Sequence, residues 1–323
     1  MLYSEGDTLV FRFDDHQLRI QPWGQNSLRV RATKRANFEQ QDWALLEPEK
    51  TSPKITISDD DGARIENGRI HATVSRLGKM IIYNDKGDKL LEEYARHRRD
   101  LKDPKCSSLE VEARELRPIL GGDYRLTMRF ESLDPNEQIF GMGQYQHPHL
   151  DLKGSDIEMA HRNSQASVPF ALSSLGYGFL WNNPAVGRAV LGKNIMSFEA
   201  YSTKELDYWV TAGETPAEII QAYAKSTGYV PMMPEYGLGF WQCKLRYWNQ
   251  EQLLEVAREY RRRELPIDLI VIDFFHWKNQ GDWSFDNEFF PDPGMLHRTT
   301  LRSITSLTIS YRGNDEGTER PQD

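Results

Sequence analysis

The sequence predicts an α+β protein of more than one domain, an antiparallel β-sandwich followed by the first βα units of an incomplete (β/α)8 TIM barrel. Three observations carry this. Alternating segments fill the chain from Leu2 to about Val210, and helical periodicity begins only near Thr211. An apolar strand, a helix and a second apolar strand then follow within about 35 residues.

The segments "TLVFRF", "SLRVRA", "KITI", "RIHATV", "YRLTMRF" and "DYWV" each place apolar and polar residues on opposite faces. Period two, with turns such as "NDKGD" and "LGGDY" between the runs, is the pattern of antiparallel sheets with one wet face. Many short strands of this kind build a sandwich. In "TPAEIIQAY", Thr215 and Glu218 have capping-box spacing, Pro216 takes the first helical position, and Gly228 is placed to end the helix. The joint "YVPMMPEYG" leads to "LGFWQ", read as a strand over Leu238–Gln242. In "NQEQLLEVAREYRRR", Leu253, Val256, Ala257 and Tyr260 form one apolar helical face with a charged back. The arginines 261–263 close that helix, where cations suit its dipole. Leu265 and Pro266 break it, and a strand follows over Ile267–Asp273. A strand, helix and strand so spaced make a crossover between parallel strands.

The 323 residues suffice for two domains or one large one. A net charge of -8 argues against nucleic acid as partner, since phosphate binding wants a basic surface. The 11% aromatic content suits a neutral ligand with flat apolar faces, such as a sugar. Cys106 and Cys243 stand far apart without metal-ligand spacing, so no disulfide framework is expected and a reducing compartment is allowed. Glu5 and Asp7 precede any apolar run, so no secretory signal is readable, and no stretch approaches the length of a membrane span. A cytoplasmic protein with no membrane partner is expected, its oligomeric state open.

In barrels the side chains that act sit at the C-terminal ends of the strands. Asp273 falls there, with Phe274, Phe275, Trp277 and Trp283 around it, and so do Gln242, Lys244, Arg246 and Tyr247 after "GFW". Asp273 could merely cap the next turn. Alternatively it accepts hydroxyls of a pyranose whose C–H faces meet the rings, and its placement favours this reading. His147 and His149 in "QYQHPHLD" are separated by Pro148 and lack a third ligand nearby, so they read as surface or packing residues and no metal is expected. "FGMGQY" has glycines like a phosphate cradle, but no strand-to-helix change follows, and it reads as a tight turn.

Taken together, "FGMGQY", "LWNNP", "PMMPEYGLGFWQCKLRY", "LPIDLIVIDFFHW" and "FFPDP" resemble glycoside hydrolase family 31. The run "DLKGSDIEMAHRNSQASVPFALSSLGYGFLWNNPAVG" is similar to its α-xylosidase branch more than to its starch-degrading α-glucosidases. The resemblance implies a mutarotase-like sandwich over 1–230, the start of the catalytic barrel over 231–296, and no cofactor. It implies retaining hydrolysis of an α-glycosidic bond of an oligosaccharide or glycoside, one Asp attacking and a second carboxylate serving as acid and base. Asp273 matches the family's substrate-binding Asp at the end of the second barrel strand. Phe274, Phe275 and Trp277 then line that subsite, with Lys244, Arg246 and Tyr247 at its rim.

The family's nucleophile belongs to the fourth barrel strand and its acid/base lies near the sixth. A barrel takes about 250 residues, and barrel-like text here runs from Tyr236 to about Pro293. Both carboxylates are therefore expected beyond the end of this chain, and no catalytic residue is assigned. "GMLHRTTLRSITSLTISYRGNDEGTERPQD" lacks helical period, so the resemblance is expected to break near Gly294, leaving 297–323 a non-homologous, disordered tail. A frameshift, retained intron or premature stop would produce that break. The alternative is a non-catalytic carbohydrate-binding or regulatory protein. Reading the coding DNA past Pro293 in all frames separates the two.

Overall fold

The computed structural model describes residues 1–42, 44–273, 276–279, 281–282 and 284–295, together with the backbone of Ser306–Thr308. It divides into two units, Met1–Val230 and a second beginning at Pro231.

The first unit opens with β1 (Leu2–Glu5), β2 (Thr8–Phe13), β3 (His16–Pro22) and β4 (Ser27–Thr33). A second meander runs through β5 (Lys54–Ser58), β6 (Gly62–Asn67), β7 (Ile70–Val74), β8 (Met80–Asn84) and β9 (Lys89–Glu92). Then come β10 (Arg114–Pro118), β11 (Tyr124–Glu131), β12 (Ile139–Gln144), β13 (Asp156–Met159) and β14 (Ala166–Ser173). The unit closes with β15 (Tyr177–Trp181), β16 (Gly187–Leu191), β17 (Ile195–Thr203), β18 (Leu206–Ala212) and α1 (Pro216–Thr227). All strand pairings here are antiparallel. They form one sheet in the order β1-β2-β3-β4-β18-β15-β14-β12, a second β10-β11-β17-β16-β13, and a third, the second meander itself.

Alternation explains the core. Leu9, Leu18, Ile20, Leu28 and Val30 of the large sheet share one buried cluster with Ile65 and Ile82 of the meander and Phe130 and Phe198 of the second sheet. Phe130 meets Phe179 and Tyr208 edge-on, with centroids 5.7 and 5.9 Å apart, the arrangement the ring quadrupoles favour. The one-wet-face expectation fails at β15 and β18, which are buried on both faces. Their outward residues Leu180 and Trp209 pack with Phe170 and with Ile219 of α1. The predicted cap is present: Thr215 accepts from the Glu218 N–H at 3.2 Å, and the Gly228 N–H donates to Ala224 at 2.8 Å. Glu218 reaches back to the N–H of Glu214, at 3.1 Å.

"FGMGQY" is not a tight turn but the edge strand β12, irregular in register between Gly141 and Gly143. Gly141, Met142 and Gly143 all have positive φ, and a Cβ at Gly143 would stand 2.1 Å from the Ala166 carbonyl oxygen. The glycines serve a bulge against β14.

The second unit contains a 3-10 turn (Glu235–Leu238), β19 (Trp241–Cys243), α2 (Gln250–Arg262), β20 (Leu269–Val271) and β21 (Ser306–Thr308). The first predicted strand is displaced, since Leu238 belongs to the turn. Asp268 Oδ2 accepts from the Phe240 N–H at 2.9 Å, and a Cβ at Gly239 would stand 1.9 Å from that oxygen, so pairing starts at Trp241. β19 and β20 run parallel in the register Trp241↔Leu269, Gln242↔Ile270, Cys243↔Val271. β21 pairs parallel with β20 on its other side. The reading of 297–323 as a disordered tail therefore does not hold over Ser306–Thr308. There the β-branched "SITSLTI" has strand rather than helix propensity; the rest of that stretch lies outside the described residues. Leu253, Leu254 and Ala257 of α2 pack with Tyr247, Ile270, Ile272 and Phe290. Among the described residues no helix is long and apolar enough to cross a membrane.

Candidate functional site

Parallel pairing puts the exits of β19 and β20 side by side. Lys244 follows β19 directly and is exposed, and Asp273 stands two residues past the end of β20, half-buried. Asp273 has φ +65°, a left-handed conformation that Asp tolerates better than most residues. Its carbonyl accepts a hydrogen bond from His276 Nδ1. His276 is fully buried, against Trp277 at 5.8 Å, Phe285 at 5.0 Å and Phe290 at 6.3 Å. Burial pushes its pKa below the ordinary value, against the opposing pull of the Asp273 carbonyl and carboxylate. The ring is thus a neutral clamp on the backbone that carries the carboxylate.

The segment behind this clamp is tied to α2. The Asp286 N–H donates to the His276 carbonyl at 2.8 Å, and Asp286 receives the Phe290 N–H at 2.8 Å. Gln250 bonds the same segment twice, its N–H to the Phe289 carbonyl at 2.9 Å and its Oε1 to the Asp292 N–H at 3.0 Å. "FFPDP" is therefore an anchor for the strand-end region.

The other expected residues divide. Arg246 is half-buried with its guanidinium 3.5 Å from the centre of the exposed Trp248 ring. Tyr247 does not form a rim: it is 1% exposed and belongs to the small core. Its hydroxyl accepts from Gln242 Nε2 at 3.3 Å, while Gln242 Oε1 accepts from Tyr260 at 2.6 Å. Gln242 thus links β19 to α2 rather than facing solvent alone. Trp277 is half-buried beside His276. Phe274, Phe275 and Trp283 lie outside the described residues. His147 and His149 are exposed and 5.8 Å apart, with His147 stacked on Tyr145. Among the described residues no group of three or more His, Cys, Asp or Glu is placed to hold a metal ion. Sequence reasoning missed His276 and Gln250. A lone His among aromatics and a Gln on a helix carry no spacing signal, although proximity to Asp273 was available for the first.

The chain thus joins an antiparallel sandwich to parallel strands, with a carboxylate two residues past the second of them. Residues 17–188 match the glycosyl hydrolase 31 N-terminal galactose mutarotase-like domain, and residues 230–315 match the glycosyl hydrolases family 31 TIM-barrel domain. The chain belongs to glycoside hydrolase family 31. The second match runs past Gly294, where the resemblance was expected to end.

The chain is 48% identical over 316 residues to an uncharacterized family 31 glucosidase of Pseudescherichia vulneris, covering 95% of this chain and 59% of that protein. It is 33% identical over 199 residues to an α-xylosidase of Saccharolobus solfataricus, 58% of this chain and 27% of that one. A GH31 α-xylosidase from a soil metagenome, solved with xylose, superposes with a TM-score of 0.84 at 50% identity, over 96% of this chain and 46% of that one. The chain thus spans 59% or less of the length of these relatives.

Proposed function

We propose that the chain carries the terminal-sugar subsite of a retaining α-glycosidase, and that the sugar is α-linked xylose in preference to glucose. The observation that carries this reading is Asp273, two residues past the second parallel strand, with its carbonyl bonded by the buried His276 ring. A carboxylate there accepts hydrogen bonds from sugar hydroxyls, each stronger than a neutral pair. Trp277 supplies a ring face for the sugar C–H groups, and Lys244 and Arg246 take the rim. The α-xylosidases among the relatives support xylose as the sugar. Tyr247, being core, has no part in it.

Retaining hydrolysis needs two carboxylates about 5–5.5 Å apart across the scissile bond. The family places both on later barrel strands, and none is assigned in these 323 residues. The role we propose for these 323 residues is to bind a terminal sugar without cleaving it. With pure protein, nitrophenyl α-xyloside should hydrolyse at the buffer rate; turnover above that control would refute the non-catalytic reading. Methyl α-xyloside should bind, and Asp273→Asn should weaken it at least tenfold, about 1.4 kcal/mol. Equal affinity for the variant would remove Asp273 from the subsite.

A further inference from the structure

Residues 244–249 take the chain from the end of β19 into α2, and the loop they form carries Lys244 and Arg246. Side chains hold this loop. The Trp248 N–H donates to Gln252 Oε1 at 2.8 Å, and Asn249 caps the helix. Tyr247 is sunk in the small core, and its neighbours in sequence, Arg246 and Trp248, stack on each other outside it. Lys244, Leu245 and Trp248 are exposed, so packing alone secures the loop only at Tyr247.

Gln242 supplies what packing does not. Along β19, Trp241 and Cys243 are exposed and Gln242 lies half-buried between them, so strand alternation turns its side chain toward α2. There its amide is used at both ends. Oε1 accepts the Tyr260 hydroxyl at 2.6 Å, which leaves Nε2 to donate to the Tyr247 hydroxyl at 3.3 Å and to the Cys243 carbonyl at 3.1 Å. A primary amide offers two donor protons and an acceptor oxygen, and every one of these has a partner here. The Cys243 carbonyl belongs to the peptide plane from which Lys244 departs. The Tyr247 hydroxyl fixes the far end of the ring whose flanking residues are Arg246 and Trp248. Glu in place of Gln242 would keep the bond from Tyr260 and lose the two donors, and Leu would lose all three.

We infer that Gln242 is a positioning residue. It touches no sugar, but its amide fixes the loop that sets Lys244 and Arg246 at the rim, and with them the affinity of the subsite proposed above, on which reading this inference rests.

Methyl α-xyloside titrated into the full chain should bind Gln242→Leu and Gln242→Glu about tenfold more weakly than the parent. Tyr260→Phe removes one hydroxyl from a half-buried position and should weaken binding about threefold. Added to Gln242→Leu it should cost nothing more, since Tyr260 acts only through the amide. Hydrogen exchange at the Trp248 N–H should rise in the Gln242 variants while that of Leu254 and Ala257 in α2 holds. A Gln242 that served stability alone would give a different pattern: a lower melting temperature, faster exchange throughout α2, and unchanged affinity of the folded protein. Parent-like affinity in Gln242→Leu, or additive losses in the double variant, would overturn the inference. A parent chain that fails to bind methyl α-xyloside would overturn the subsite reading instead, and exchange at Trp248 then decides by itself whether Gln242 holds the loop.

Discussion

Glu92 sits where three lysines converge, with Lys79 at 2.9 Å, Lys89 at 2.7 Å and Lys105 at 3.1 Å. Burial raises its pKa, but hydrogen bonds from Lys89, Lys79 and Lys105 outweigh this and hold it at about 2 against an ordinary 4.5. A depressed carboxylate stabilises the fold above its unfolded pKa and loses that contribution as pH falls through the folded one, here between 4.5 and about 2. His16 acts in a different window. Burial first, then the charges of Arg114 and Lys34, take it from 6.5 to about 3. The unfolded chain therefore binds a proton below 6.5 that the folded chain refuses, and stability falls as pH drops from 6.5 toward 3. In thermal melts across pH, His16→Gln should flatten the dependence between 6.5 and 4.5, and Glu92→Gln should change it only below 4.5. A Glu92→Gln profile that departs from its parent in slope near pH 6 would contradict the assignment. Single residues of this kind were mostly illegible in the sequence. Asp273 drew attention because a carboxylate ends an apolar run there, and its position two residues past β20 follows from that run. Tyr247 misled because the same position after a strand serves a rim or a core, and only burial decides.

Among elements, α1 illustrates what local chemistry specifies. Its start, its cap and its terminal glycine were readable because each is a short-range bond between neighbours in sequence. Thr215→Ala removes the acceptor for the Glu218 N–H and should cost about 1 kcal/mol, read as a lower denaturant midpoint with an unchanged slope. Gln250 belongs to the other kind. Its two bonds reach 39 and 42 residues onward, to Phe289 and Asp292 (289 − 250 and 292 − 250), and nothing near it in sequence announces them. Gln250→Ala should leave α2 formed, since Asn249 still accepts from the Gln252 N–H at 2.9 Å; it keeps the backbone bond to Phe289 and removes only the one to Asp292. Hydrogen exchange at Asp292 should rise while that of Leu254 and Ala257 holds. Protection unchanged at Asp292 would show the anchor to be redundant. The displaced start of β19 has the same origin, because its limit is set by Asp268, nearly thirty residues away (268 − 240 = 28).

Across the whole molecule the two units differ in what they bury. In the first, side chains of three sheets converge on one continuous core, and ion pairs such as Lys153–Glu137 at 2.6 Å lie inside it. Glu137 is satisfied there by Ser173 and Tyr177 as well, at 2.5 and 2.7 Å, so the buried charge is fully bonded and costs little. The second unit gathers a short cluster around Tyr247, Leu254, Ile270 and Phe290. Meanwhile Met232 is 93%, Leu245 78%, Leu238 76% and Trp248 60% exposed. Ordering each residue costs about 1–2 kcal/mol, and apolar groups left in water return nothing against it. The second unit should therefore open at lower free energy than the first. Limited proteolysis of the 323-residue chain should cut first between Tyr229 and Trp248, where tyrosine, tryptophan, methionine and leucine side chains stand exposed. A fragment ending near Val230 should accumulate and melt cooperatively. A resistant band that retains Phe290 would mean that the small cluster, with its Gln250 anchor, is as stable as the sandwich.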